Sequence, residues 1–319
     1  MNDCAIRTRD CPRCPLCQGE GGGLYCRLPD RLFGAPGLWN IRQCANTACG
    51  LLWLDPMPLA EDLPFAYQDY FTHKDKPVER TGMIHRLYRL LLAVSGLARQ
   101  RAELRTLFLR HALPGRLLEV GCGTGERLAE FRSLGWEVEG QEIDPVAVER
   151  ATARSLCIHL GALPNLSLPE NHFDAVVMNH VIEHVQDPLS LLCECRRVLK
   201  TGGHLAVVTP NTTSLGHRCY GSCWMALDPP RHLHLFSPKT LQQLACNAGF
   251  RDCQAWTTAA NAQFVAEGSI AIQRTGHHRF GPSPGLALGL ESLLFQLRAS
   301  ATILVRKHSG EECVLTATK

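Results

Sequence analysis

Between Glu119 and Gly125 the chain reads Glu-Val-Gly-Cys-Gly-Thr-Gly, an acid followed by three glycines spaced by two. Glycines at such a turn let a ligand approach the backbone amides that open the next helix. A dinucleotide-binding turn, G-x-G-x-x-G, would place its third glycine at position 126, where Glu126 stands. Glu119, two residues before Gly121, would repel a pyrophosphate and suit an ammonium group. Glu142 lies about twenty residues beyond the turn, the usual position for a carboxylate that grips a ribose hydroxyl pair. The pocket therefore asks for a ribonucleoside with a cationic tail and no phosphate.

Two further groups could do chemistry. Cys14-Pro-Leu-Cys17 and the later Cys44 and Cys49 offer four thiolates, a closed tetrahedral set suited to structural Zn²⁺. Cys11 could replace either member of the first pair, while Cys4 and Cys26 read as bystanders. The bland alternative is a set of reduced, unligated thiols. The histidines gather in "NHVIEHVQDP", with His180, Glu183 and His184, and in "PPRHLHLFSP", with His232 and His234. His184 and His232 are the candidates for a base or a substrate contact. If their segment is helical, His180 and His184, four apart, share a face. Otherwise Glu183 and His184 form a structural hydrogen-bond network, and His234 reads as a surface residue.

The elements that must position these groups follow from periodicity. "RLLEV", "EVEGQEI", "FDAVVMN" and "GGHLAVVTP" read as strands. They alternate with the helical patterns "ERLAEFRSLG", "PVAVERATARS" and "PLSLLCECRRVLK". That alternation predicts a doubly wound, mostly parallel α/β sheet. Residues 1–56 form a small zinc-ribbon-like module, closed by the Pro-rich "DPMPLAEDLP". Residues 57–113 read as a linker and an amphipathic helical cap. In the cap Met83, Ile84, Leu87, Leu90, Leu91 and Val94 recur at helical spacing among arginines. Residues 114–319 form the main domain. Its "RDCQAWTTA" and "EECVLTA" are strands, with a helical insertion at about 260–305 between them.

Composition fits this reading. The 319 residues are 45% apolar and 20% charged, as in a folded globular chain. A net charge of +3 is too small to imply a nucleic-acid partner. Sixteen scattered cysteines and an N-terminus without a signal-like apolar run point to a reducing, cytoplasmic compartment. The apolar stretch 286–305 carries Glu291, Gln296 and Arg298 and reads as too polar to span a bilayer. The basic cap helix could touch a membrane surface, although packing of its apolar stripe is the favoured reading.

S-adenosylmethionine (SAM) meets the description of the ligand. "LLEVGCGTG", "VEGQEIDPVAVERA", "LSLPENHFDAVVMNHVIEHVQDP", "RVLKTGGHLAVVTPN" and "LDPPRHLHLFSPKTLQQLACNAGF" resemble, in order, the successive motifs of class I SAM-dependent methyltransferases. The resemblance covers about residues 114–250 and implies a Rossmann-like, seven-stranded sheet ending in an antiparallel pair. By that resemblance Glu119, Gly121, Cys122 and Gly123 hold the methionine end and Glu142 the ribose. It also implies that Ile143 packs on the adenine, that Ala162 and Leu163 meet its amino group through the backbone, and that Asn179 faces the sulfonium.

The cysteine module resembles the zinc-binding element of methyltransferases that act on sugars and related small molecules. This implies O-methylation of a saccharide or similar metabolite. Similarity to ubiquinone-pathway O-methyltransferases, which carry an acid where His180 stands, implies a metal reading for His180, Glu183 and His184. Tyr70, Phe71 and His73 resemble an aromatic lid, and the helical insertion resembles a cap that shapes an acceptor pocket. Three alternatives stay open on sequence: C- or N-methylation by the same fold, a NAD-dependent oxidoreductase, and a non-catalytic partner-binding protein.

Overall fold

A computed structural model describes residues 6–67, 97–281 and 285–319. Most of the cap helix, including Met83 to Val94, and the lid candidates Tyr70, Phe71 and His73 lie outside the described residues. Five short strands come first: β1 (Thr8–Arg9), β2 (Gly21–Leu28), β3 (Trp39–Cys44), β4 (Leu52–Leu54) and β5 (Met57–Pro58). Helix α1 (Leu97–Arg105) precedes the alternating region. There follow β6 (Arg116–Val120), α2 (Glu126–Ser133), β7 (Glu137–Glu142), α3 (Pro145–Thr152), β8 (Cys157–Leu160) and β9 (Phe173–Asn179). Next come α4 (Pro188–Val198), β10 (Leu199–Pro210), α5 (Leu215–Tyr220), β11 (His234–Leu235) and α6 (Pro238–Asn247). The chain ends with β12 (Arg251–Thr258), α7 (Ala262–Thr275), α8 (Leu286–Val305) and β13 (Glu312–Thr318).

Local chemistry sets where these helices start. Proline occupies the first position of α3, α4 and α6, where its missing N–H costs nothing. The residues just ahead are Asp144, Asp187 and Ser237, and each side chain accepts a backbone N–H of the first turn.

Seven strands form the main sheet in the order β12-β13-β10-β9-β6-β7-β8. β13 runs antiparallel to both neighbours and the other pairings are parallel. This is the doubly wound, mostly parallel sheet that the alternation predicted, with the helices α7 and α8 inserted before the last strand. Successive residues of β6 serve opposite faces: Leu118 and Val120 enter one buried cluster and Leu117 the other. Strand order reverses between β6 and β9, so a crevice opens at their carboxyl ends, where open α/β sheets take ligands.

The N-terminal strands β2, β3 and β4 form a second sheet in the order β11-β4-β3-β2, in which β11 comes from beyond residue 230, while β1 pairs with β5. His234 pairs with Trp53 and Leu235 with Leu52. Cys14, Cys44, Cys49, Leu51 and Trp53 share one buried cluster with Leu118, Val176, Phe236 and Leu241. One buried cluster thus runs across residue 56. The short N-terminal stretch gains its core by leaning on the main domain.

Arg231 joins the two parts. Its guanidinium is fully buried and donates to both carboxylate oxygens of Asp30, each at 2.8 Å, and to the carbonyl of Ala66 at 2.9 Å. Asp228 accepts from the same group, and the Phe33 ring lies 4.4 Å from the guanidinium carbon. An Arg231→Met variant should lose about 3–5 kcal/mol of stability, because two buried carboxylates would be left without their cation. Urea unfolding of the two proteins measures this, and a loss below 1 kcal/mol would mean that the network is dispensable.

Candidate functional site

The glycine turn leaves the end of β6 and enters α2. Gly121, Gly123 and Gly125 all hold positive φ, at 65°, 53° and 74°, which L side chains rarely adopt. Two of the three are also sterically fixed. A Cβ on Gly121 would come 2.5 Å from Val181, and one on Gly125 would come 2.3 Å from Leu156. Around Gly123 there is open space instead. The turn is closed from behind and open at its middle glycine.

Glu142 ends β7 beside that opening. Its carboxylate accepts the amide of Gly123 at 2.8 Å, and the amides of Ile143 at 2.7 Å and Asp144 at 3.0 Å. Ile143 next to it is 65% exposed, an apolar side chain held in the open. Glu119 is buried. One of its oxygens lies 3.2 Å from Arg127 Nε and the other has no hydrogen-bond partner. Burial pushes its carboxyl up to about 7, with Arg127 opposing the rise. An orphaned carboxylate oxygen, an open glycine and an exposed aliphatic side chain fit a ligand with an ammonium group and an apolar ring.

Other positions are placed less directly. Cys122 packs its side chain into the core, and its amide donates to Gln141 at 3.0 Å. Ala162 is exposed, whereas Leu163 is buried in the core and offers only backbone. Asn179 is half-buried at the end of β9.

After Asn179 the chain turns sharply. His180 takes a positive φ of 55°, and Ile182–His184 form a single 3-10 turn. The helical face that would have paired His180 with His184 therefore does not exist. His180 instead bridges Glu183 at 3.1 Å and Glu312 at 2.9 Å. Burial alone would lower its pKa, but these two carboxylates raise it to about 10. Fully buried Glu183 is held down at about 2, where His180 overcomes the burial that would raise it.

His184 and His232, by contrast, come together from different segments, with ring centroids 4.7 Å apart. The Nδ1 of His232 lies 2.8 Å from the Ala226 carbonyl, and the Nδ1 of His184 lies 3.1 Å from the Arg231 carbonyl. Carbonyls only accept, so the Nδ1 of His232 carries the proton and its Nε2 keeps its lone pair. Burial lowers both rings to about 4, so both are neutral near pH 7. His232 Nε2 sits 4.0 Å from Glu183 Oε1 and 3.9 Å from Asp228 Oδ2. Glu183, His184 and His232 also bring one donor atom each within 4.8 Å of one another. This trio includes His232 in place of the His180 that the sequence suggested.

His234 is buried within β11 rather than at the surface, because pairing with β4 carries it into the core. Tyr67, Asp228 and Arg231 also belong to this neighbourhood. The Tyr67 hydroxyl lies 2.9 Å from His184 Nδ1. Their only signal in sequence is proximity to the "DPPRHLH" motif for the latter two, and nothing marks Tyr67.

In the N-terminal sheet, Cys14 and Cys49 bring their sulfurs within 3.7 Å, and Cys17 and Cys44 within 3.5 Å. All four sulfurs lie within 4.8 Å of one another. Thiolates at about 2.3 Å around one tetrahedral ion would be about 3.8 Å apart, so the set suits such an ion. Cys11 stands outside the quartet, its sulfur 3.8 Å from the carbonyl of Arg13. A cavity of about 400 Å³ opens nearby between Thr47, Gly50, Thr212, His217 and Lys239. Neither the glycine turn nor the paired histidines line it.

The raised pKa of His180 has a consequence for stability. The charged ring stabilises the fold fully below about pH 6.5, and that contribution is lost as pH rises towards 10. Urea midpoints should therefore fall between pH 6.5 and 8.5 in the wild type. The fall should be absent in His180→Asn, and an equal decline in both proteins would remove His180 as its source.

Comparison with known proteins gives the family. Residues 90–255, about half of the chain, match the family model described as "Methyltransferase domain". A malonyl-[acyl-carrier protein] O-methyltransferase of Serratia marcescens is 31% identical over 159 residues, 49% of this chain and 61% of that protein. A ubiquinone biosynthesis O-methyltransferase of Cereibacter sphaeroides is 32% identical over 146 residues, 42% of this chain and 59% of that protein. The chain thus spans about three fifths of the length of these curated relatives. A SAM-dependent methyltransferase structure from Archaeoglobus fulgidus is 20% identical with a TM-score of 0.48, covering 73% of this chain and 99% of that one. With the sheet order and the glycine turn already in place, the family match shows that this chain belongs to the class I SAM-dependent methyltransferase family.

Proposed function

We propose that this methyltransferase alkylates a hydroxyl group of a small molecule, a saccharide or related metabolite, in the cytoplasm. The observation that carries the hydroxyl reading is His232 Nε2, an unprotonated nitrogen facing carboxylate oxygens of Glu183 and Asp228 at about 4 Å. Three acceptors converge there, an arrangement that favours a donor such as a substrate O–H between them. SAM supplies an activated methyl, and the chain's task is alignment, exclusion of water and removal of one proton. The proton leaves the acceptor oxygen for His232, with His184 beside it as the second candidate base. Two of the relatives are named for O-methylation, which supports oxygen over carbon or nitrogen. The saccharide reading rests on the likeness of the cysteine module to that of sugar methyltransferases.

For the cofactor, Glu119 with the Gly121–Gly123 turn would take the amino-acid end, Cys122 contributing backbone only. Glu142 would take the ribose and Ile143 the adenine face. Ala162 and Leu163 would offer backbone near the adenine amino group, and Asn179 would lie towards the sulfonium. Because Glu119 titrates near 7 when no ammonium faces it, SAM should bind about tenfold more tightly at pH 8 than at pH 6. Isothermal titration at the two pH values tests this, with Glu119→Gln expected to abolish the difference. Wild-type affinity in Glu142→Ala would remove the assignment of the ribose acid. The acceptor is tested by product mass spectrometry over a panel of sugars and other hydroxylated metabolites. Methylation only at carbon or nitrogen would overturn the hydroxyl reading. His232→Ala should lower kcat by about 100-fold or more.

We further propose that Cys14, Cys17, Cys44 and Cys49 hold a structural Zn²⁺. Metal analysis should find about one zinc per chain, lost in Cys14→Ser. Full zinc retention in that variant would dismiss the site.

A further inference from the structure

Helix α8 is inside out. Its buried positions are Ser292, Phe295, Gln296 and Ala299, two of them polar. Gln296 accepts the amide of Gln263 at 3.0 Å and donates to the carbonyl of Ala259 at 2.7 Å, so hydrogen bonds help hold the inner face. The outward face carries Leu286, Leu290, Leu294, Leu297, Leu304 and Val305, each from 41% to 85% exposed. At 3.6 residues per turn these six fall within about 100° of arc, and the stripe runs about 30 Å along the helix. A surface helix ordinarily presents the reverse pattern, and an apolar stripe of this length marks a contact with something other than water.

The charges around the stripe select the contact. Within α8 the acid is Glu291, and it is paired with Arg274 at 2.7 Å. Arg298 is exposed beside the leucines. Arg279, just before the helix, and Arg306 and Lys307, just after it, are exposed as well. Cations thus flank both ends of the stripe. Two copies packed stripe to stripe would bring like charges together whether the helices ran parallel or antiparallel, which disfavours self-association. An anionic surface meets both requirements, taking the leucines into its apolar layer and the cations at its head groups.

We propose that α8 docks the protein on an anionic lipid bilayer, lying in the plane of the surface with its leucine stripe immersed. By length and composition the helix could also cross a membrane. Its inner-face bonds to Ala259 and Gln263 tie it to the domain, and an in-plane placement preserves them.

The test uses the full chain in flotation with vesicles of phosphatidylcholine alone or mixed with phosphatidylglycerol. Binding should appear with the mixed vesicles and weaken with added salt. A Leu290→Ser/Leu294→Ser/Leu297→Ser triple variant should bind about tenfold or more weakly, while its SAM binding and thermal midpoint stay as in the wild type. Arg306→Ala/Lys307→Ala should weaken binding to anionic vesicles alone. Three outcomes would overturn the proposal: no flotation of the wild type on anionic vesicles, equal binding of the triple variant, or a wild-type dimer in sedimentation that the leucine changes dissociate. The wild-type flotation result stands by itself should the triple variant misfold.

Discussion

The buried guanidinium of Arg231 is the constraint on which the rest of the site depends. A cation stripped of water is costly to bury, and it persists only where anions and carbonyls surround it on several sides. Here the partners come from far apart in sequence: Asp30 in the N-terminal part, Ala66 at the start of the linker and Asp228 three residues away. Satisfying one side chain therefore fixes three segments at once. Its own backbone carbonyl faces His184, and the next residue is His232. The histidine pair is held in register by a buried charge.

A second constraint is steric and lies at the glycine turn. Val181 occupies the space that a side chain on Gly121 would need. The segment carrying His180, Glu183 and His184 is thereby pressed against the glycine turn. Burial raises the Tyr67 pKa, and the charges of both Glu183 and Glu142 add to the rise, so Glu142 and the histidine cluster share one electrostatic neighbourhood. The glycine turn and the histidine cluster are brought close by packing rather than by a shared strand.

Much of this was legible in the sequence. The sheet was readable because its buried strands are short apolar runs, and because Asp-Pro and Ser-Pro pairs punctuate the helices. The glycine turn was readable because positive φ demands glycine, and Glu142 because the end of the next strand brings an acid beside that turn. The cysteine quartet was equally open, since two close pairs in sequence bring four sulfurs together. Other features were hidden. The 3-10 turn after Asn179 breaks the face that His180 and His184 would share on a helix, and four-residue spacing cannot reveal that. Arg231 looked like one basic residue among histidines, because its partners lie 165 and 201 positions away. His234 looked exposed because two-residue strands leave almost no periodic trace.

That two-residue strand has a bearing on how the molecule is made. β11 completes the sheet begun by β2, β3 and β4, and ~180 residues of chain separate Leu54 from His234. A ribosome adding about 5–20 residues per second takes on the order of ten to forty seconds to bridge that interval. Throughout it β4 waits for its partner strand and Asp30 for its counter-ion, so strands made well before β11 settle only after it.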